Sequence, residues 1–158
     1  METLIEAKQH LRDNWEKGTD CPACGQHVKR YSRPMHYSMA AMLIRLYRLD
    51  KSEPGYHHAG AIAKGISSTG TNDFSKLKHW GLIEQMPKDP KQNKHTSGYW
   101  RITQRGKQFV AHGSTEHARV LIFNKKFLGV TGEQITIQQA LGGKFDYNKL
   151  MSEAERVI

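Results

Sequence analysis

Apolar positions in this chain recur mainly at spacings of three and four, separated by polar stretches rich in Gly, Pro and Lys. That period is the signature of helices with one buried face. Thr3-Leu4-Ile5-Glu6 has the form of a capping box, and Leu4, Ala7, Leu11 and Trp15 then predict a short amphipathic helix ended by Gly18. Residues 19–34 hold two prolines, Gly25 and a cysteine pair, and read as irregular. Ser38 is placed to cap a helix in which Met39, Met42, Leu43, Leu46 and Leu49 form one stripe, followed by a turn over 50–55. A second helix is predicted over 58–64, anchored by Ile62 and Ile66. A tight connection over 67–70 leads to a third helix over 71–79, capped by Thr71 or Asn72 and ended by Gly81. On that helix Phe74 and Leu77 point together into a core, and Asn72, Ser75, Lys76 and His79 fall on the opposite face.

Residues 82–86 and 99–103 read as strands joined by a polar, basic loop with no apolar residue between Pro87 and Gly98. Trp80, Tyr99 and Trp100 lie beside Leu82 and Ile102 and are assigned to core packing rather than base stacking. Thr103 caps a further helix through residue 112. Segments 120–123 and 127–130 predict a hairpin, 135–137 a short strand, and Asp146 the cap of a final helix. The fold class is α+β, divided as an N-terminal helix and arm over 1–37, a central unit over 38–113 and an appendage over 114–158.

Composition changes this picture chiefly through charge. The 158 residues suit one domain with appendages, and 24 Lys and Arg against 15 Asp and Glu give a formal charge of +9. The excess is concentrated. Lys29, Arg30, Arg33, Arg45, Arg48 and Lys51 face only Asp50 within 27–51, and Lys88, Lys91, Lys94, Arg101, Arg105 and Lys107 face only Asp89 within 87–107. Two such segments suit a polyanion, because each cation that meets a phosphate releases a condensed counterion; a basic surface that merely aids solubility is the plainer alternative. The longest apolar run, 39–44, falls far short of the roughly 20 residues that cross a bilayer, and the polar start has no secretory core. A soluble, cytoplasmic protein without a membrane partner is expected.

The order helix, helix, turn, helix and basic-looped hairpin over 38–112 resembles the winged helix-turn-helix superfamily. Leu77-x-x-Trp80-Gly81-Leu82-Ile83 is similar to the end of a recognition helix entering the first wing strand. Ile102-Thr103-x-x-Gly106 is similar to the return after the wing in many bacterial regulators. The whole chain also resembles small phage and prophage winged-helix proteins that carry an upstream Cys-Pro-x-Cys-Gly segment. That second resemblance implies no defined activity; the winged helix-turn-helix resemblance implies a DNA-binding transcriptional regulator with its recognition helix in a major groove. Thr71, Asn72, Ser75, Lys76 and His79 would then meet bases or phosphates, and Lys88, Lys91, Lys94 and Arg101 the backbone of double-stranded DNA. The rival is a protein-interaction module that binds and inhibits a host protein through the same scaffold. RNA binding is a weaker third reading. The appendage offers either intramolecular packing or a homodimer surface.

Cys21-Pro22-Ala23-Cys24-Gly25 has the spacing of a zinc knuckle, with His27 and His36 as further ligands and His10 in reserve. A single structural zinc, an unliganded turn and a redox dithiol all remain open for it, although no strand-then-helix context supports the last. No catalytic constellation emerges: there is no Walker loop, no Gly-x-Ser-x-Gly and no His-Glu-x-x-His, and carboxylates are few in the centre. A non-enzymatic protein is expected.

Overall fold

The computed structural model describes residues 3–66, 71–87, 98–123 and 126–153. Helix α1, Leu4–Asn14, starts with the expected reciprocal cap: the Glu6 amide donates to Thr3 Oγ1 at 3.2 Å, and the Thr3 amide to Glu6 Oε2 at 3.1 Å. Its stripe is thinly covered, however. Only Ala7 is buried, and Ile5 is 81% exposed.

Residues 19–34 are not irregular. Strands β1 (Thr19–Asp20) and β2 (His27–Val28) pair as a hairpin around the cysteines, and β3 (Tyr31–Pro34) joins a strand some ninety positions further on. Such a partner leaves no local signature. Pro34 is tolerated because β3 is an edge strand, where a missing N–H removes no interior ladder bond.

Helix α2, Tyr37–Ser52, begins earlier than expected and is capped by His36, whose Nδ1 accepts from the Ser38 amide at 3.3 Å. Residues 38–44, Leu46 and Tyr47 are all buried, so the helix is apolar nearly all round and forms the axis of the core. Strand β4 (His57–His58) precedes α3 (Ala59–Ala63), which His58 caps and which is shorter than the predicted 58–64. A short α4, Thr71–Phe74, runs into a 3₁₀ segment, Ser75–Trp80. Strands β5 (Ile83–Gln85) and β6 (Tyr99–Ile102) follow, then α5 (Gln104–Ala111), with Thr103 as its N-cap.

The C-terminal third is a long hairpin, β7 (Glu116–Phe123) with β8 (Lys126–Ile135), then α6 (Ile137–Leu141) and α7 (Tyr147–Glu153). The strand predicted over 135–137 does not exist. Ile135 ends β8, and Thr136 opens α6 with a second capping box, its hydroxyl accepting from the Gln139 amide at 3.2 Å. At α7 the expected cap is present, the Lys149 amide donating to Asp146 Oδ1 at 3.0 Å.

The result is a mixed α+β fold with small antiparallel sheets in the orders β1-β2, β4-β6-β5 and β3-β7-β8. One continuous core joins the latter two. α2 packs against α3, α5, α6, α7 and β6, and Val120, Ile137, Leu141 and Leu150 share the cluster with Phe74, Trp80 and Phe109. Two polar links tie the β3-β7-β8 sheet to this core. Trp80 Nε1 donates to the His117 carbonyl at 2.6 Å, and Arg105 donates from Nε at 2.5 Å and Nη2 at 2.7 Å to the buried Glu116 carboxylate. Among the described residues, no helix is long and apolar enough to cross a membrane.

Candidate nucleic-acid interface

The segment from Ser75 to Trp80 decides which side chains face outward. Phe74, Leu77 and Trp80 are buried, and their spacing of three matches the three residues per turn of a 3₁₀ helix. At 120° per residue the remaining positions form two outer columns, Ser75 with Lys78 and Lys76 with His79. On an α-helical period Lys78 would lie close to the Phe74–Leu77 face. In the structure it is exposed. Gly81 ends the segment at φ +77°, a left-handed conformation that most residues avoid, and its amide donates back to the Lys78 carbonyl at 3.0 Å.

Facing these columns is the β3-β7-β8 sheet. Tyr31 and Ile122 stand opposite one another in register, and Arg33 stands opposite Val120. Between sheet and 3₁₀ segment lies an open groove of about 490 Å³, lined by Tyr31, Arg33 and Ile122 on one side and Ser75, Lys76, Lys78 and His79 on the other. Its lining holds three permanent cations and no carboxylate. Tyr31 braces two cations through its ring, with the Arg33 guanidinium 5.2 Å and the Lys29 ammonium 5.6 Å from the centroid.

Two members are already engaged. Lys76 Nζ lies 3.0 Å from Asp73 Oδ1. The His79 ring stacks on Phe127 at 5.0 Å and 11° between planes, and burial, then Lys78 and Lys76, hold its pKa below the usual histidine value. His79 is thus a neutral wall of the groove, with one ring face committed to the sheet. Arg101 does not join this group. It projects from β6 onto Glu84, its partner across β5, and onto the Tyr56 ring at 5.2 Å, beside a separate cleft that also holds Asp50 and Lys107. The Glu84 carboxylate raises the Arg101 pKa. Lys88, Lys91 and Lys94 lie outside the described residues, as do the side chains of Thr71 and Asn72, whose backbone opens α4. Compared with known protein families, curated proteins and solved structures, the chain matches none.

The predicted metal ligands are placed as follows. Cys21 and Cys24 occupy the turn of the β1-β2 hairpin, where the Gly25 amide donates to the Cys21 carbonyl at 2.8 Å. Backbone amides of Cys24 and Ala23 approach the Cys21 sulfur and lower its pKa. His27 Nδ1 instead meets Asp20 Oδ1 at 3.3 Å, and the far edge of its ring lies over Gly18. His36 is occupied in capping α2, with Nδ1 2.8 Å from Ser38 Oγ, and His10 Nε2 lies 3.1 Å from Thr19 Oγ1. Among the described residues, no three His, Cys, Asp or Glu side chains are grouped to hold an ion.

Sequence reasoning missed Lys78, Arg33 and Tyr31. For Lys78 the signal was legible, since Phe74, Leu77 and Trp80 repeat every three residues. For Arg33 and Tyr31 it was not, because only the pairing of β3 with β7 brings them to the 3₁₀ segment.

Proposed function

We propose that this protein is a winged helix-turn-helix DNA-binding regulator acting in the cytoplasm. The observation that carries the reading is the groove in which Arg33 and Lys78 converge with Lys76, whose ammonium also meets Asp73 at the rim, beside an outward-facing helical segment. Three cations in a shared concavity focus a positive potential and favour a polyanion over a small neutral ligand.

The element order supports the same reading: α2, β4, α3, then α4 with its 3₁₀ extension, then β5 and β6 in a sheet ordered β4-β6-β5. On this reading α4 and the 3₁₀ segment would act as the recognition helix, and the sequence between β5 and β6, which carries Lys88, Lys91 and Lys94, would act as the wing. The working surface differs from the one drawn on the sequence alone. Ser75, Lys76 and Lys78 would face the duplex with Arg33 from the neighbouring sheet, whereas Arg101 lies apart on β6 against Glu84 and contributes little.

The test is retention of a randomised duplex library at low and near-physiological salt, followed by single alanine changes. Lys78→Ala and Arg33→Ala should each lower affinity for all duplexes and reduce the log–log salt slope by about 1. Arg101→Ala should leave both unchanged. If the groove variants bind as the parent does, while alanines at Lys88, Lys91 and Lys94 abolish binding, the groove is not the interface. If an acidic protein competes with duplex for the groove and no sequence is enriched, the interaction-module reading replaces this one. Preference for a stem-loop RNA over the matched duplex would favour the RNA reading.

A further inference from the structure

A pocket of about 310 Å³ lies where α2, the exit of α3 and the segment between α6 and α7 meet. Arg45 of α2, Lys144 of that segment and Lys149 of α7 supply its cations, and Ile66, Phe145 and Leu150 its apolar surface. Its volume stands at the small end of the roughly 300–1,000 Å³ typical of ligand sites.

The walls are fixed by the fold. Arg45 Nη1 donates to the Lys64 carbonyl at 3.0 Å, which orients the guanidinium and leaves the other N–H groups of its fork for a further acceptor. Gly142 and Gly143 take φ +59° and +78°, two left-handed residues in succession, and the Lys144 amide closes that turn on the Leu141 carbonyl at 3.0 Å. The turn returns the chain toward the start of α2, where the Phe145 ring meets Tyr37 at 6.0 Å. Leu150 belongs to the buried core, and Ile66 packs against it.

Charge selects the ligand. The lining holds three permanent cations and a single carboxylate, Asp146, whose Oδ1 accepts from the Lys149 amide at 3.0 Å. Among the described residues, no ion pair engages Arg45, Lys144 or Lys149. The local excess of positive charge matches a phosphate monoester, which carries about −1.5 to −2 near pH 7, better than the single charge of a diester. The Arg45 fork suits two phosphate oxygens, and the lysines act as point charges on the phosphate as a whole. We propose that this pocket binds a small phosphate monoester, its phosphate held by Arg45, Lys144 and Lys149 and an apolar ring laid against Phe145. The proposal is independent of the DNA-binding reading, because the pocket and the groove have no residue in common.

The probe is phenyl phosphate, titrated into the full chain in phosphate-free buffer and followed by calorimetry and by backbone amide shifts. The expected result is saturable binding of one molecule per chain, with shifts at Gly65, Lys144 and Phe145. Methyl phenyl phosphate, the matching diester, should bind about fivefold more weakly. Lys144→Gln and Lys149→Gln alter exposed side chains, and each should weaken binding about fivefold without changing the circular dichroism. Arg45→Lys, which keeps the charge and removes the fork, should weaken it as well. Should that variant fail to fold, the two lysine variants still decide the matter. Equal or tighter binding of the diester would assign the pocket to a nucleic-acid backbone and overturn the proposal. So would shifts confined to residues 31–33 and 75–79, parental affinity in both lysine variants, or no saturable binding at millimolar concentrations.

Discussion

At the scale of single residues, His79 shows how neighbours assign a role. As a helix-face histidine beside two lysines it reads as a DNA-contacting group, yet its ring lies against Phe127 from a strand that begins nearly fifty residues later. Burial, Lys78 and Lys76 all disfavour its protonated form. The sign of the consequence follows. In the unfolded chain this imidazole takes up a proton as pH falls below about 6.5, while in the folded chain it stays neutral. Its contribution to stability is therefore complete above that pH and is lost as pH falls through the folded-state pKa. His79→Gln should flatten the acid side of the stability profile between pH 7 and 5, measured by urea unfolding. An unchanged slope would mean that the ring is not held neutral. Lys78 makes the complementary point, since its exposure follows from a local period of three that was present in the residues all along.

At the scale of elements, the Ile102-Thr103-x-x-Gly106 return has a physical explanation. Thr103 closes α5 by accepting from the Gly106 amide at 3.1 Å, and its hydroxyl donates to the Gly81 carbonyl at 2.6 Å. Its amide meets the Leu82 carbonyl at 3.0 Å. One threonine thus fastens the start of α5 to the exit of the 3₁₀ segment. Gly106 permits the approach, because a Cβ there would lie 2.3 Å from the Leu82 carbonyl oxygen and 2.6 Å from Ile102 Cγ1. The first of these is backbone and cannot swing aside. Gly106→Ala should destabilise the protein by about 1–3 kcal/mol in chemical denaturation, despite the better helix propensity of alanine. A neutral or stabilising result would show that α5 can shift away from β5 without loss.

The helices whose caps were legible, α1, α5 and α7, are found where Thr3, Thr103 and Asp146 placed them. The misplaced elements are of another kind. β1, β2 and β3 are two to four residues long, too short to show alternation, and β3 exists only because β7 pairs with it. The 135–137 segment went wrong for a related reason: Thr136 is equally at home in a strand and at a helix cap, and the reciprocal bond with Gln139 decided it.

Across the whole molecule, the arm and the appendage meet in one sheet, which rests on the 3₁₀ segment through Trp80 and Val120 and on α5 through the Arg105–Glu116 pair. α6 and α7 cover α2 from another side. Three stretches distinguishable by charge and pattern are therefore coupled through a single core. Thermal unfolding should show one transition, with Trp fluorescence and far-ultraviolet dichroism coincident. Two separated transitions would mean that the sheet and the central unit melt independently.

The α+β class, the capped helices, the inward direction of Phe74, Leu77, Trp80 and Trp100, and the concentration of positive charge are legible in the chain alone, because each rests on neighbours within a few positions or on composition. Which cations share a concavity is set by long-range packing. Arg33 and Lys78 stand 45 positions apart in the chain, and their meeting in the groove depends on antiparallel pairing between β3 and β7, an interaction whose free energy lies in the partner strand and not in either segment alone. Arg101 was separated from them for the same reason, by a carboxylate on the adjacent strand.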